Sequence, residues 1–133
     1  LKVISIMALA KTGLMVAPVQ VTAGNTTTIY TAANSKKAYI RTILIYHNQE
    51  NSGSALSQIA HIYVVPNGAT RSEAHAIGRI TLPPDDTIFF EMQYPITLTT
   101  NGDTIQVYNV GSGTGGTGSS SKLNCLALGD VEE

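Results

Sequence analysis

The pattern of this chain excludes most helical architectures, because no stretch of eleven or more residues keeps a helical period. Short β-prone segments recur instead, separated by Pro, Gly or Asn turns. They cover residues 14–22, 26–31, 38–47, 59–65, 80–82, 87–93, 96–100, 104–110 and 122–128. Many short strands with turn signals at steady intervals are typical of two packed sheets. We therefore predict an all-β fold, a jelly-roll-like β-sandwich of about eight strands.

The length of 133 residues indicates one domain. Residues 1–12 are predicted to form an apolar N-terminal arm, and residues 13–133 a single sandwich domain. The opening looks like a signal peptide, but its apolar run is too short for most signals and for a bilayer span. Either Leu1 represents an alternative start codon or Met7 is the native start. We expect the arm to reach onto a neighbouring subunit.

Local signals give further expectations. Residues 71–79 are predicted to form a loop with at most a short helix, and residues 129–133 a fraying tail. Asn101 and Gly102 both tolerate positive φ, so they are predicted to join the strands on either side of them as a hairpin.

The segment from residue 38 to 47 is apolar on both faces at Ile43, Leu44 and Ile45. Two explanations remain open. Either this strand lies centrally under a loop, or a second chain covers its outer face.

Charged residues make up 13% of the chain, against about 25% in ordinary soluble domains. Uncharged polar surfaces lose their water at less cost, which suits permanent contacts, although the many Thr residues also fit β propensity alone. The net charge is −1 and no basic cluster exceeds Lys36-Lys37, so nucleic-acid binding is not expected.

Cys125 is the only cysteine; it cannot form an intrachain disulfide and is predicted to be a buried small hydrophobe.

The sequence offers no catalytic, cofactor-binding or metal-binding residue that we can name. Cys125 lacks a cationic neighbour in sequence that would lower its pKa. His47, His61 and His75 lie in separate segments with no His-x-His or His-Glu-x-x-His spacing, so we predict local hydrogen bonds for them.

Two apparent motifs have plainer explanations. Residues 111–116 spell Gly-x-Gly-x-x-Gly, but the Gly/Ser/Thr run after them cannot begin the helix that dinucleotide binding needs. This segment, residues 111–121, is predicted to be a flexible loop. Asp85-Asp86 follows two prolines and is predicted to be a solvated turn rather than an acid–base pair.

Sugar binding is a rival hypothesis, because exposed aromatic platforms would support it. The chain has no Trp and six Tyr, most of them in predicted strands, where half should face the core or a cross-strand partner.

Five runs carry a resemblance to a known group. They are residues 28–32 (Thr-Ile-Tyr-Thr-Ala), 37–43 (Lys-Ala-Tyr-Ile-Arg-Thr-Ile), 62–66 (Ile-Tyr-Val-Val-Pro), 95–98 (Pro-Ile-Thr-Leu) and 101–107 (Asn-Gly-Asp-Thr-Ile-Gln-Val). With them the chain, from about residue 20 to 110, resembles the small β-sandwich virion proteins of tailed bacteriophages. Those proteins decorate capsids as cement proteins or sit in tail and fibre assemblies.

The resemblance implies a virion structural protein rather than an enzyme. We expect a capsid decoration or cement protein on the outer surface of the capsid, with the major capsid protein and its own copies, as a homotrimer, as partners. No cofactor, nucleic acid or membrane is expected. The contacts are expected from residues 1–12, 48–58, 66–78 and 111–121. A tail, neck or fibre component is the first alternative, a carbohydrate-binding β-sandwich module the second, and an enzyme the last.

Overall fold

The computed structural model describes residues 9–10, 17–33, 36–49, 57–99, 101–112 and 121–132. Within them the strands are β1 (Leu9–Ala10), β2 (Val19–Thr22), β3 (Thr26–Thr31), β4 (Ala38–Gln49), β5 (Gln58–Val65), β6 (Ala76–Leu82), β7 (Thr87–Leu98), β8 (Thr104–Ser112) and β9 (Ser121–Glu132). One 3-10 turn, Glu73–His75, precedes β6.

The strands form two antiparallel sheets. In the front sheet, β2 and β1 lie along one edge of β9, and β4 and β7 follow on its other side. The back sheet has the order β3-β8-β5-β6. The pairs β2–β9, β3–β8, β4–β7 and β5–β6 are nested, so the chain is one long hairpin rolled into a sandwich. This arrangement is a jelly roll, which confirms the predicted fold.

Alternate residues of the facing strands fill the space between the sheets. In β9, Leu123, Cys125 and Ala127 are buried, and the residues between them are half-buried on the outer side. The central core is apolar and consists of Val21, Ile29, Tyr30, Ala32, Ala38, Ile40, Ile43, Ile45, Ala60, Ile62, Leu82, Leu98, Ile105, Val107, Leu123, Cys125 and Ala127. Burial of these side chains is the main favourable contribution to folding.

Strand β4 lies at the centre of the front sheet, between β9 and β7. Its register with both neighbours shifts between Ile40 and Thr42. Against β9, Arg41 is the extra residue of a β-bulge, whereas against β7 the extra residues belong to β7. Because of the bulge, Ile40 and Ile43 both face the core although they are three residues apart. The outward side chain Leu44 is half-buried. The strand is therefore central, a position that the first of the two explanations requires and the second allows.

The predicted hairpin at Asn101 and Gly102 is wrong. β7 pairs with β4 in the front sheet, whereas β8 pairs with β3 and β5 in the back sheet. The turn instead carries the chain between the sheets, and Gly102 supplies the positive φ of 92°. The Gly102 N–H donates to the Ala32 carbonyl oxygen at 3.1 Å. This hydrogen bond joins the β7–β8 connection to the β3–β4 connection, which also passes from one sheet to the other.

Three other boundaries differ from the predictions. Segment 87–93 and residues 96–98 belong to one strand, β7, in which residues 92–95 bulge out opposite Arg41. β6 begins at Ala76 because it pairs with β5 from that point. The predicted fraying tail belongs to β9 as far as Glu132, since Val131 pairs with Ala38 of the central strand.

Several predicted contact segments lie largely outside the described residues. Of the arm, only Leu9 and Ala10 are described, and they pair with Glu132 and Val131 of the same chain. Of the 48–58 segment, residues 50–56 lie outside the description, and of the 111–121 segment residues 113–120 do.

Replacing Gly129 by Ala should disrupt the front sheet. A Cβ at this position would collide with the backbone carbonyl oxygen of Tyr39, and backbone in a central ladder cannot move aside. We expect G129A to lower the free energy of unfolding by about 3 kcal/mol or more, measured by denaturant unfolding. G78A is the control, because its Cβ would meet the Phe90 ring at 2.8 Å, and a side chain can rotate away. Equal losses for the two variants would contradict this account.

Candidate functional site

A cluster of polar and aromatic side chains lies on the outer face of the back sheet. His61 of β5 lies directly opposite Tyr108 of β8, and Tyr63 follows His61 on the same face. Arg71 and Glu73 reach this face from the segment that joins β5 to β6. We call these five residues the clamp cluster.

Arg71 spans the two tyrosine rings. Its guanidinium carbon lies 4.8 Å from the ring centroid of Tyr63 and 4.9 Å from that of Tyr108. Both distances are within the range of a cation–π attraction. Tyr63 is completely buried, yet it lies outside the central core, since the 66–75 segment covers it from the solvent side.

A short chain of hydrogen bonds joins the same residues. The Tyr63 hydroxyl donates to Glu73 Oε1 at 3.4 Å, and His61 Nδ1 lies 3.1 Å from that hydroxyl. His61 is therefore the donor to the Tyr63 oxygen when its Nδ1 carries the proton. The His61 ring also meets the Tyr108 ring edge-on, with centroids 6.2 Å apart.

The clamp cluster resembles a proton relay, but its electrostatics oppose acid–base work. Burial raises the pKa of Tyr63 above its ordinary value, and nearby Glu73 adds to this increase, while Arg71 lowers the pKa. A general acid or base works best with a pKa near the operating pH, and this hydroxyl is moved further from it. The contacts of Arg71 and Glu73 with Tyr63 tie the 66–75 segment to the back sheet.

The fixed loop presents an uncharged tip. Residues 66–70 (Pro-Asn-Gly-Ala-Thr) are all exposed and carry no charge. The Ala69 N–H donates to the Pro66 carbonyl oxygen at 3.0 Å, and the Asn67 N–H donates to Asp103 Oδ1 at 2.9 Å. At the base of the loop, the Ser72 N–H donates to His75 Nδ1 at 3.2 Å. The tip is therefore anchored on both sides.

The structure does not bring the three histidines together. His75 caps the 3-10 turn, and His61 belongs to the clamp cluster. His47 is buried at the far end of β4, where its Nδ1 lies 3.0 Å from the Pro83 carbonyl oxygen and 3.2 Å from that of Leu82. His61 and His75 make local hydrogen bonds, as predicted, whereas His47 bonds to the far end of β6, 35 and 36 residues away in sequence. In the described parts of the chain, no three His, Cys, Asp or Glu side chains come together as metal ligands would.

Cys125 is a buried residue of the central core. Desolvation by burial raises the pKa of its thiol from 9.0 to about 12. A thiol with so high a pKa is protonated at neutral pH and is a poor nucleophile. The prediction of a small buried hydrophobe is confirmed.

Asp85 and Asp86 are exposed in the turn between β6 and β7, as predicted. Asp85 adopts a positive φ of 57°, which Asp tolerates better than most residues. The backbone of this turn is held by the His47 N–H, which donates to the Asp86 carbonyl oxygen at 2.9 Å. Of the Gly-rich motif at 111–116, residues 111 and 112 end β8 and the others lie outside the described residues.

Comparison of the chain with protein-family models, with curated proteins and with solved structures found no match. No helix in the described part of the chain is long and apolar enough to cross a membrane. A function for this protein therefore has to be inferred from its own geometry and sequence.

Sequence reasoning missed the clamp cluster. The available signal was the spacing of His61 and Tyr63, which are two residues apart in a predicted strand and so share a face. The sequence gives no sign that Arg71 and Glu73 lie against that face, because nothing in the loop sequence indicates the side of the sheet onto which the loop folds.

Replacing Arg71 by Ala should loosen the loop. We expect R71A to lower the free energy of unfolding by about 1–2 kcal/mol and to speed amide hydrogen exchange over residues 66–75. R79A is the matched control, since Arg79 lies on the neighbouring strand next to His61 and is exposed, and it should cost less than about 0.5 kcal/mol. If exchange in the loop is unchanged in R71A, the clamp has no role in holding it.

Stability should decline at alkaline pH because of Cys125. The unfolded thiol ionises near pH 9 while the folded thiol stays protonated to about pH 12, so unfolding is favoured progressively across this interval. The total loss is at most about 4 kcal/mol. Tyr30 and Tyr63, whose pKa values burial also raises, add to the loss above pH ~10.

Denaturant unfolding at a series of pH values measures this decline. C125A should lose stability by a constant amount through its cavity, and its curve should be flatter than that of the parent from pH 9 upward. Parallel curves for the two proteins would show that the thiol is not the group responsible.

Proposed function

We propose that this protein is a virion structural protein of a tailed bacteriophage, a decoration or cement protein that binds the outside of the assembled head and contacts the major capsid protein. The observation that carries the proposal is the clamped loop of residues 66–75, whose uncharged tip is held by contacts at its base. The sequence resemblance to small phage virion proteins supports the same class.

An uncharged tip held at its base suits permanent binding for two physical reasons. A loop that is already ordered loses little conformational entropy when it docks. Small uncharged polar groups also lose their water at less cost than charged groups do. The two charges at the base, Arg71 and Glu73, are occupied with the tyrosines beneath the tip.

Binding of this kind stabilises a shell through mass action. A protein that binds the assembled lattice but not free subunits shifts the equilibrium towards the lattice. Repeated weak contacts on one shell add up through high effective concentration. The homotrimer expected from the resemblance would supply such multivalency, and it remains a prediction.

The carbohydrate-binding alternative has less support. A sugar platform needs an exposed ring, and of the six tyrosines only Tyr94 is mostly exposed, at 76%. Tyr63 is completely buried, and Arg71 lies over both it and Tyr108. A tail, neck or fibre component would use the same kind of surface as a cement protein, and it differs in copy number.

Copy number in purified particles separates these candidates. We expect gel densitometry to give an amount of this protein comparable to that of the major capsid protein. A few copies per particle would favour the tail, neck or fibre alternative, and absence from the particle would overturn the proposal.

A binding experiment tests the loop itself. A charged, bulky side chain at the exposed tip, introduced as A69R, should weaken binding to purified undecorated heads by about tenfold or more, since it must be desolvated at the contact. T81R is the matched control, because Thr81 is exposed at the end of β6 far from the tip, and it should bind normally. Equal binding of both variants would show that the loop makes no contact with the head.

A further inference from the structure

The outer face of the front sheet carries a row of apolar side chains in register. Leu126 of β9 lies directly opposite Leu44 of β4, and Leu44 lies directly opposite Phe89 of β7. Phe89 is 54% exposed, and Leu44 and Leu126 are half-buried. Tyr46 and Leu128 extend the apolar surface on either side of this row. We call these five residues the front-sheet face.

Charged residues lie around this face with a regular spacing. On β9, Lys122 comes four residues before Leu126 and Asp130 comes four residues after it, and both share its outward side. The row itself is therefore apolar, with a positive and a negative group at equal distances from it along β9. Glu91, two residues after Phe89 on the same side of β7, adds a third charge to the rim. An apolar centre with a polar rim is the usual anatomy of a protein interface.

This pattern is complementary to itself. A two-fold axis along the row Leu126–Leu44–Phe89 would place the row of one copy on the same row of another. It would also reverse the direction of β9, so that Lys122 of one copy faces Asp130 of the other. Arg41 binds Oδ2 of Asp130 at 2.7 Å, and the second copy would bring Lys122 to the same carboxylate.

The size of the face fits one such partner. The whole outer side of the front sheet, which contains the front-sheet face, has four strand positions about 4.8 Å apart and a longest strand of twelve residues, so it measures at most about 19 Å by 40 Å. That area, about 750 Å², is close to the 800 Å² that each partner buries in an interface of standard size.

We propose that a second copy of this chain packs on the front-sheet face, front sheet against front sheet, around this two-fold axis. Aligned sheets pack about 10 Å apart with their side chains interdigitated. The contact answers the second of the two explanations for the apolar outer face of β4, namely that another chain covers it. It is a two-fold contact, so it produces a dimer rather than the trimer that the resemblance implies.

The mass of the purified chain in solution tests the proposal. We expect sedimentation equilibrium to give a reversible dimer. F89E should raise the dissociation constant about 30-fold or more, because it places a charge in the apolar row of the interface. The variant should fold, since Phe89 is largely exposed in the single chain.

Tyr94 provides the matched control. It is more exposed than Phe89 and lies on the same strand, but in the 92–95 bulge, beyond the front-sheet face. Y94E should therefore dimerise like the parent. A monomer or trimer as the parent species, or equal effects of F89E and Y94E, would overturn the proposal.

Charge reversal tests the two-fold register. K122E and D130K should each weaken the dimer several-fold at low salt, since each places like charges opposite one another. The double variant K122E/D130K restores opposite charges across the axis, so it should dimerise more tightly than either single variant. If the two changes are simply additive, Lys122 does not face Asp130 in the dimer and the proposed axis is wrong.

This inference is independent of the proposed function, because it concerns a different face and is tested on the purified chain alone. Failure to dimerise would leave head binding by the 66–75 loop untouched. Failure of A69R to affect head binding would likewise leave the dimer untouched.

Discussion

The pairing of β4 with β9 is the constraint on which the rest of the fold depends. It joins the first half of the chain to its last strand along the whole length of β4, and it places both strands in the middle of the front sheet. The ladder tolerates one extra residue, Arg41, because Gly129 opposite Ile40 leaves room for the Tyr39 carbonyl group. The bulge then changes which side chains point inward. Without it, Ile40 and Ile43 could not both reach the core.

The two outer faces of the sandwich differ in how they are covered. On the back sheet, the chain covers its own surface, because Arg71 and Glu73 hold the 66–75 segment over Tyr63. These contacts reduce the conformational freedom of the loop and hold it in one shape. On the front sheet, Phe89 stays largely exposed in the single chain, beside the half-buried Leu44 and Leu126. The two proposals, head binding and dimerisation, rest on these two surfaces.

The fold was predictable from the sequence because its signals are local. Alternation of side chains and turn residues identified the strands, and their number indicated a sandwich. The candidate site was not predictable in the same way. His61 and Tyr63 share a face by their spacing alone, but Tyr108 and Arg71 join them only after β8 pairs with β5 and the loop folds back. Contacts between residues so far apart in sequence have no local signature.

The hairpin predicted at Asn101 and Gly102 shows which part of the fold the local sequence determines and which part it does not. The sequence by itself determined that a turn with positive φ occurs at this point, since that preference belongs to the two residues. Only the tertiary structure decided that the turn crosses between sheets, because β7 pairs with β4 in one sheet and β8 pairs with β3 and β5 in the other. In the same way, the sequence determined the all-β class and the low charge of the surface. Which faces become core, clamp or open surface was decided by strand pairing, which depends on the whole chain.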